Sequence, residues 1–188
     1  MSIKHFIQSQ INSKFKLEDE LPFPTRIKHF AKHDIITKYH QIEQNAYYLL
    51  NGIVKISMIR NEEDERILEF FFPNNFFSSY TSFLTQEPSN VEIQALSDCE
   101  VEVIKQSDMQ EAYKTSMLAN ELGRIVAEKY YIHKTNREKD FLTKSATERY
   151  QALVNYRPEL VQQIPVHQIA KYLGIEAESL SRIRKTIF

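Results

Sequence analysis

The chain is poor in the residues that loops, cross-links and membranes require. Its 188 residues include three glycines, one cysteine and no tryptophan. A single cysteine, Cys99, excludes an intrachain disulfide, a CxxC motif and a cysteine set for zinc or an iron–sulfur cluster. A buried thiol is the plainer reading. No run of 18 apolar residues exists, and the start MSIKHFIQSQINSKFKLEDE carries charges and amides where a signal peptide needs a continuous apolar stretch. The expectation is a cytoplasmic protein with no membrane partner. Glycine scarcity has a further consequence. Gly52, Gly123 and Gly174 cannot serve every turn, so positive φ must fall on other residues, with His33, His40, Asn74 and Asn75 the candidates. His-x-His is also missing, and no nucleophile stands beside a recognisable base. That argues against a metal-dependent β-roll enzyme, against enzymatic activity in general, and for no cofactor. The pair His29 and His33 lies in a polar segment and reads as solvated.

What is present changes along the chain. From Ile27 to Ile104 short β-branched and aromatic runs alternate with turn signals, the pattern of a string of strands. AYYLL (46–50), Asn51-Gly52 and IVKISMI (53–59) read as the clearest hairpin. NEEDE (61–65) reads as a solvated loop tip, followed by RILEFFF (66–72). VEIQAL (91–96) and EVEVI (100–104) alternate aliphatic residues, expected inside, with charges, expected outside. The fold expected from these runs is an antiparallel roll or sandwich.

After Asp108 the period becomes helical. Residues 117–142 contain no proline, with Leu118, Leu122, Ile125 and Ile132 at spacings of 4, 3 and 7. A helix so long is expected to pair with a copy of itself through those four residues, although Lys129 interrupts the heptad. Ser145 and Glu148 form a capping box for a further helix, and Pro158 and Pro165 punctuate the approach to the last two. Charge also divides here. Residues 1–116 hold 12 Lys+Arg against 17 Asp+Glu (−5), and residues 117–188 hold 12 against 8 (+4).

The last stretch, IPVHQIAKYLGIEAESLSRIRKTIF, reads as a helix-turn-helix: apolar Ile169, Leu173, Ile175, Leu180 and Ile183, small Ala170 at the helix contact, and Gly174 at the turn. If its second helix enters a major groove, Glu178, Ser179 and Arg182 face base edges, with Arg184 and Lys185 further along. Glu178 and Arg182 could equally form a solvated i,i+4 pair.

Taken together, YYLLNGIVKI, FFSSYTSFLTQEPSNVEIQAL, SATERYQAL and IAKYLGIEAESLSRIRK resemble the bacterial Crp/Fnr family of transcription regulators over nearly the whole chain. The resemblance implies an α+β protein in three parts: a cyclic-nucleotide-binding-like β-roll (1–116), a long dimerisation helix (117–143) and a helix-turn-helix domain (144–188). It implies a homodimer on a two-fold symmetric DNA site, with Glu178 and Arg182 at base-reading positions and His167 and Ser179 near phosphates. RNA polymerase is a candidate further partner, and the effector is unknown. Three departures stand out. Where cyclic-nucleotide binders carry Gly-Glu and then Arg-Ser or Arg-Thr, this chain has Ser78-Ser79 and Ser89-Asn90, so the sugar clamp and phosphate counter-charge are missing. A degenerate pocket is expected. The family's wing after the recognition helix is not recognisable before Phe188, and Glu176 stands where relatives favour a Ser or Thr N-cap. The competing reading is a sensor or interaction module that packs its terminal helices and binds no operator.

Overall fold

The computed structural model describes residues 1–59 and 65–187. In chain order the elements are α1 (Ile3–Gln10), β1 (Arg26–Phe30), β2 (Ile35–Thr37), β3 (Asn45–Asn51), β4 (Val54–Ile59), β5 (Glu65–Phe71), β6 (Phe76–Phe77), α2 (Tyr80–Thr85), β7 (Glu92–Ala95), β8 (Cys99–Lys105), α3 (Gln106–Thr115), α4 (Met117–Thr143), α5 (Ala146–Tyr156), α6 (Pro158–Gln163), α7 (Val166–Leu173) and α8 (Ala177–Ile187). The fold is α+β, an antiparallel roll followed by helices, in keeping with the sequence reading. Residues 61–64 of the proposed loop tip lie outside the described residues.

The strands form two four-stranded sheets, ordered β1-β8-β3-β6 and β2-β7-β4-β5. This overturns the Asn51-Gly52 hairpin. β3 pairs with β8 and β6, whereas β4 lies in the other sheet. Gly52, at φ 98°, is a corner between sheets: a Cβ there would meet the Asp98 carbonyl oxygen at 2.5 Å and Cys99 Sγ at 2.6 Å. The chain makes its return crossing at that same place, between β7 and β8. The two crossings brace each other, Leu96 N donating to the Ile53 carbonyl at 2.8 Å and Ile53 N to Ser97 Oγ at 3.0 Å. Asn-Gly signals a reversal of backbone direction, and direction alone does not say which sheet the chain enters next.

By internal packing the chain divides into two units: residues 1–56 with 70–129, and residues 57–69 with 130–188. These divisions differ from the expected boundaries at 116 and 143. The ends of β4 and β5 belong with the C-terminal helices, and α4 is shared. In the first unit, Ile3, Ile7, Tyr48, Ile104, Met109 and Leu122 lie in one core cluster drawn from α1, the first sheet, α3 and the start of α4. Helix α1 explains a failed expectation about β8. Glu102 points inward, only 8% exposed, and its carboxylate accepts the backbone N–H of Ile3 at 2.6 Å, at the start of the helix that covers this face. Positive φ falls on His33, His40 and Asn74 as expected, and on Gln86 rather than Asn75.

The same packing corrects the proposed seam. Leu122 is 2% exposed inside its own chain, and Leu118 packs against the same cluster. A side chain already buried offers no surface to a second copy. Lys129 is explained too, since its ammonium donates to Gln10 Oε1 at 2.7 Å and lies 4.9 Å from the centre of the Phe6 ring. Ile125 is half-buried and Ile132 exposed. Heptad spacing alone could not separate the face that meets α1 and α3 from the face left open.

Candidate nucleic-acid interface

Helix α7 ends because Gly174 takes the left-handed conformation, φ 70°, with its own N–H and that of Ile175 turning back to the Ala170 carbonyl. Of the predicted inner face, Ile169, Ala170, Leu173 and Leu180 are buried, whereas Ile175 and Ile183 are half-buried. Ala170 at 1% exposed leaves no room for a larger side chain where the two helices meet.

Two arginines finish the turn. Arg137 of α4 donates to the Tyr172 carbonyl at 2.7 Å, and Arg149 of α5 to the Leu173 carbonyl at 3.1 Å. Last-turn carbonyls of a helix lack intrahelical partners and carry partial negative charge, so cations there satisfy and stabilise them. Phe141 lies between these groups, with the guanidinium carbons of Arg137 and Arg149 at 4.7 and 4.6 Å from its ring centre. A Cβ at position 174 would come within 3.1 Å of that ring. Sequence reasoning found the turn glycine and missed all three supports, which are distant in sequence and carry no local motif.

On α8, Glu178, Arg182 and Lys185 are exposed, and at 100° per residue they share an arc of about 60° opposite Leu180. Ser181 belongs to this stripe and was not singled out, although the spacing 178-181-182-185 marks it. Ser179 is half-buried at the stripe's margin, Arg184 leaves it on the other side, and His167 is exposed on α7. Among the described residues no ion pair joins Glu178 to Arg182. The stripe therefore combines two cations, a carboxylate and a hydroxyl, groups able to bind phosphates and base edges.

The expected degenerate pocket is not one cluster. Ser79 and Ser89, 3% and 1% exposed, hydrogen-bond to each other at 2.7 Å, and Ser89 Oγ also donates to the Val91 carbonyl. Ser78 donates instead to the Asn45 carbonyl at 2.9 Å, and Asn90 is exposed. A residue that sequence reading passed over dominates the buried polar groups of this unit. Glu43, fully buried, accepts from the Thr37 hydroxyl, from Asn45 N at 2.9 Å and from the Tyr47 hydroxyl at 3.4 Å. Burial raises its carboxyl above the ordinary range against those hydrogen bonds, and burial and the Glu43 charge raise the Tyr47 phenol. Nothing in QIEQN distinguishes this glutamate from a surface one.

A sequence profile of the cyclic nucleotide-binding domain matches residues 27–116. Among curated proteins no match is found. Similar solved structures include FixK2 from Bradyrhizobium japonicum, with TM-score 0.71 at 18% identity over 87% of this chain and 84% of that one. The c-di-GMP responsive global regulator CLP of Xanthomonas campestris gives TM-score 0.67 at 17% identity, covering 87% and 86%. A transcriptional regulator of the CRP/FNR family from Thermus thermophilus gives 0.62 at 20% identity, covering 86% and 85%.

Proposed function

From a chain that carries a cyclic nucleotide-binding domain and has the fold of Crp/Fnr-type transcription regulators, we infer a sequence-specific DNA-binding regulator that acts as a homodimer on a two-fold symmetric site. The observation that carries this reading is the exposed Glu178/Ser181/Arg182/Lys185 stripe on a helix whose entry turn is fixed by Arg137, Arg149 and Phe141. Groups so placed reach a groove without first breaking internal bonds.

Dimerisation uses the exposed apolar residues of α4, with Met117 86% and Tyr131 70% exposed on the side opposite Leu122 and Ile132, 59% exposed, on its flank. Regulation does not depend on cyclic nucleotide. Among the described residues no cation is bonded to Ser79 or Ser89, and these hydroxyls already satisfy each other. Cyclic AMP and cyclic GMP then bind no more tightly than about millimolar; a micromolar heat signature in calorimetry overturns this part.

The main test selects bound duplexes from a random DNA pool with the purified protein. A palindrome is expected. On the selected site, Arg182→Ala costs about 1–3 kcal/mol and relaxes one symmetric base pair. Lys185→Ala weakens all duplexes alike and lowers the salt slope by about one. If no sequence is enriched and neither substitution matters, the interaction-module reading replaces this one.

A further inference from the structure

One face of β5 makes a chain of polar ties to the helices beside it. Glu65, Ile67 and Glu69 alternate with Arg66 and Leu68, so the three share a side of the strand. Glu65 accepts from Lys171 of α7 at 2.9 Å. The Ile67 carbonyl accepts from Arg137 at 3.4 Å, the same guanidinium nitrogen that donates to the Tyr172 carbonyl of α7. Glu69, 8% exposed, takes Arg157 Nη1 at 2.5 Å on one oxygen and the His133 ring on the other. Arg157 in turn reaches the Tyr172 hydroxyl at 3.4 Å, and the Arg137 guanidinium lies 3.8 Å from the centre of the Tyr172 ring. Apart from the His133 bond, every tie bears on α7 or on a residue touching it. Burial alone would raise the Glu69 carboxyl, but the His133 hydrogen bond and the Arg157 charge hold it below the ordinary range.

We propose that the 65–69 face of β5 positions the helix-turn-helix, and that a displacement of this strand alters DNA affinity through Glu69–Arg157 and Glu65–Lys171. The strand is the carrier because it is one continuous element. Residues 65–69 pack with the terminal helices, while Phe70, 1% exposed, and Phe71, 5.8 Å ring to ring from Phe77, are part of the β-roll unit. A polar tie suits this role better than an apolar one. Its strength depends on alignment of a few charged atoms, so a small shift changes it, whereas apolar contact tolerates sliding. The proposal deepens the DNA-binding reading and rests on it for its consequence, though not for its geometry.

Hydrogen exchange on the full chain reads the geometry without DNA. Glu69→Gln keeps the shape and leaves Arg157 with the more exposed Glu159, 3.6 Å away, for a counter-charge; exchange of α7 amides is expected to rise about tenfold, with α1 and β8 unchanged. Lys171→Glu sets like charges facing and raises α7 exchange several-fold, and the swapped pair E65K/K171E returns it to within about twofold of the parent. If Glu69→Gln fails to fold, the Lys171 pair decides. Unchanged exchange in Glu69→Gln, or a swap that does not rescue Lys171→Glu, overturns the positioning role. Affinity for the duplex recovered from the pool should fall and recover with the exchange rates; affinity that ignores them overturns the coupling. A pool that yields no duplex defeats the DNA reading and leaves the exchange result standing.

Discussion

Two buried glutamates, Glu43 in the β-roll unit and Glu69 among the terminal helices, are held in opposite ways. Glu43 is surrounded by neutral donors from Thr37, Asn45 and Tyr47, and burial drives its carboxyl up. Glu69 sits between Arg157 and His133, whose hydrogen bond and charge outweigh burial and drive it down. Glu102, which takes the N–H of Ile3, follows Glu43 and is raised, burial being the largest cause. A carboxylate ringed by hydroxyls and amides can accept a proton without stranding a partner. One that neutralises a half-buried guanidinium does so less freely, since removing its charge leaves Arg157 with the more exposed Glu159, 3.6 Å away, for a counter-charge. The β-roll unit is thus built to tolerate loss of its buried charge, and the helical unit to depend on it.

The largest effect expected from this contrast is that of Arg157→Met, which removes the counter-charge from Glu69. It should cost the helical unit about 3–5 kcal/mol, read as protection lost in α5 to α7 while α1, β3 and β8 keep theirs. A loss below about 1 kcal/mol would make the pair decorative and erase the difference between the units.

Acid should split the units by sign. Glu43 and Glu102 have folded-state values above the ordinary 4.5, so their contribution is full below 4.5 and is lost as pH rises through those values. Glu69 lies below 4.5, so its contribution is full above 4.5 and is lost as pH falls through its folded value. Acidification from neutral should therefore first steady the β-roll, then below 4.5 loosen the helices. Exchange protection measured in each unit across this range checks it, and a common sign in both units would break the comparison.

Smaller effects test the neutral network. Ser79→Ala removes the bond to Ser89 but leaves Ser89 its Val91 carbonyl, so about 1 kcal/mol is expected in denaturant melts. Smallest of all is Glu43→Gln, at less than about 1 kcal/mol near neutral pH, because no cation is stranded. A larger cost there than in Glu69→Gln would reverse the ranking of the two sites.

Much of the molecule was legible beforehand for identifiable reasons. Alternation of short apolar runs marks strands wherever one face is wet, and the Ser145–Glu148 capping box is local, with Ser145 Oγ accepting from Glu148 N at 3.3 Å. The turn between α7 and α8 was legible because close crossing restricts Ala170 and Gly174 whatever surrounds them. Pairing of β3 was not, because Tyr47, Tyr48 and Leu49 are buried on both faces of the strand and no alternation remains to choose a partner.

What the sequence by itself determined is therefore what depends on near neighbours: helices and strands, caps, the turn at Gly174, and the spacing that aligns Glu178, Arg182 and Lys185. Tertiary structure decided which sheet each strand joins, that Leu122 faces inward, and that Glu43 and Glu69 meet opposite surroundings. Those outcomes turn on burial and on charges brought together from distant positions, as with Glu69 and Arg157, 88 residues apart. The energy of a carboxylate is set by such neighbours, and no local pattern encodes them.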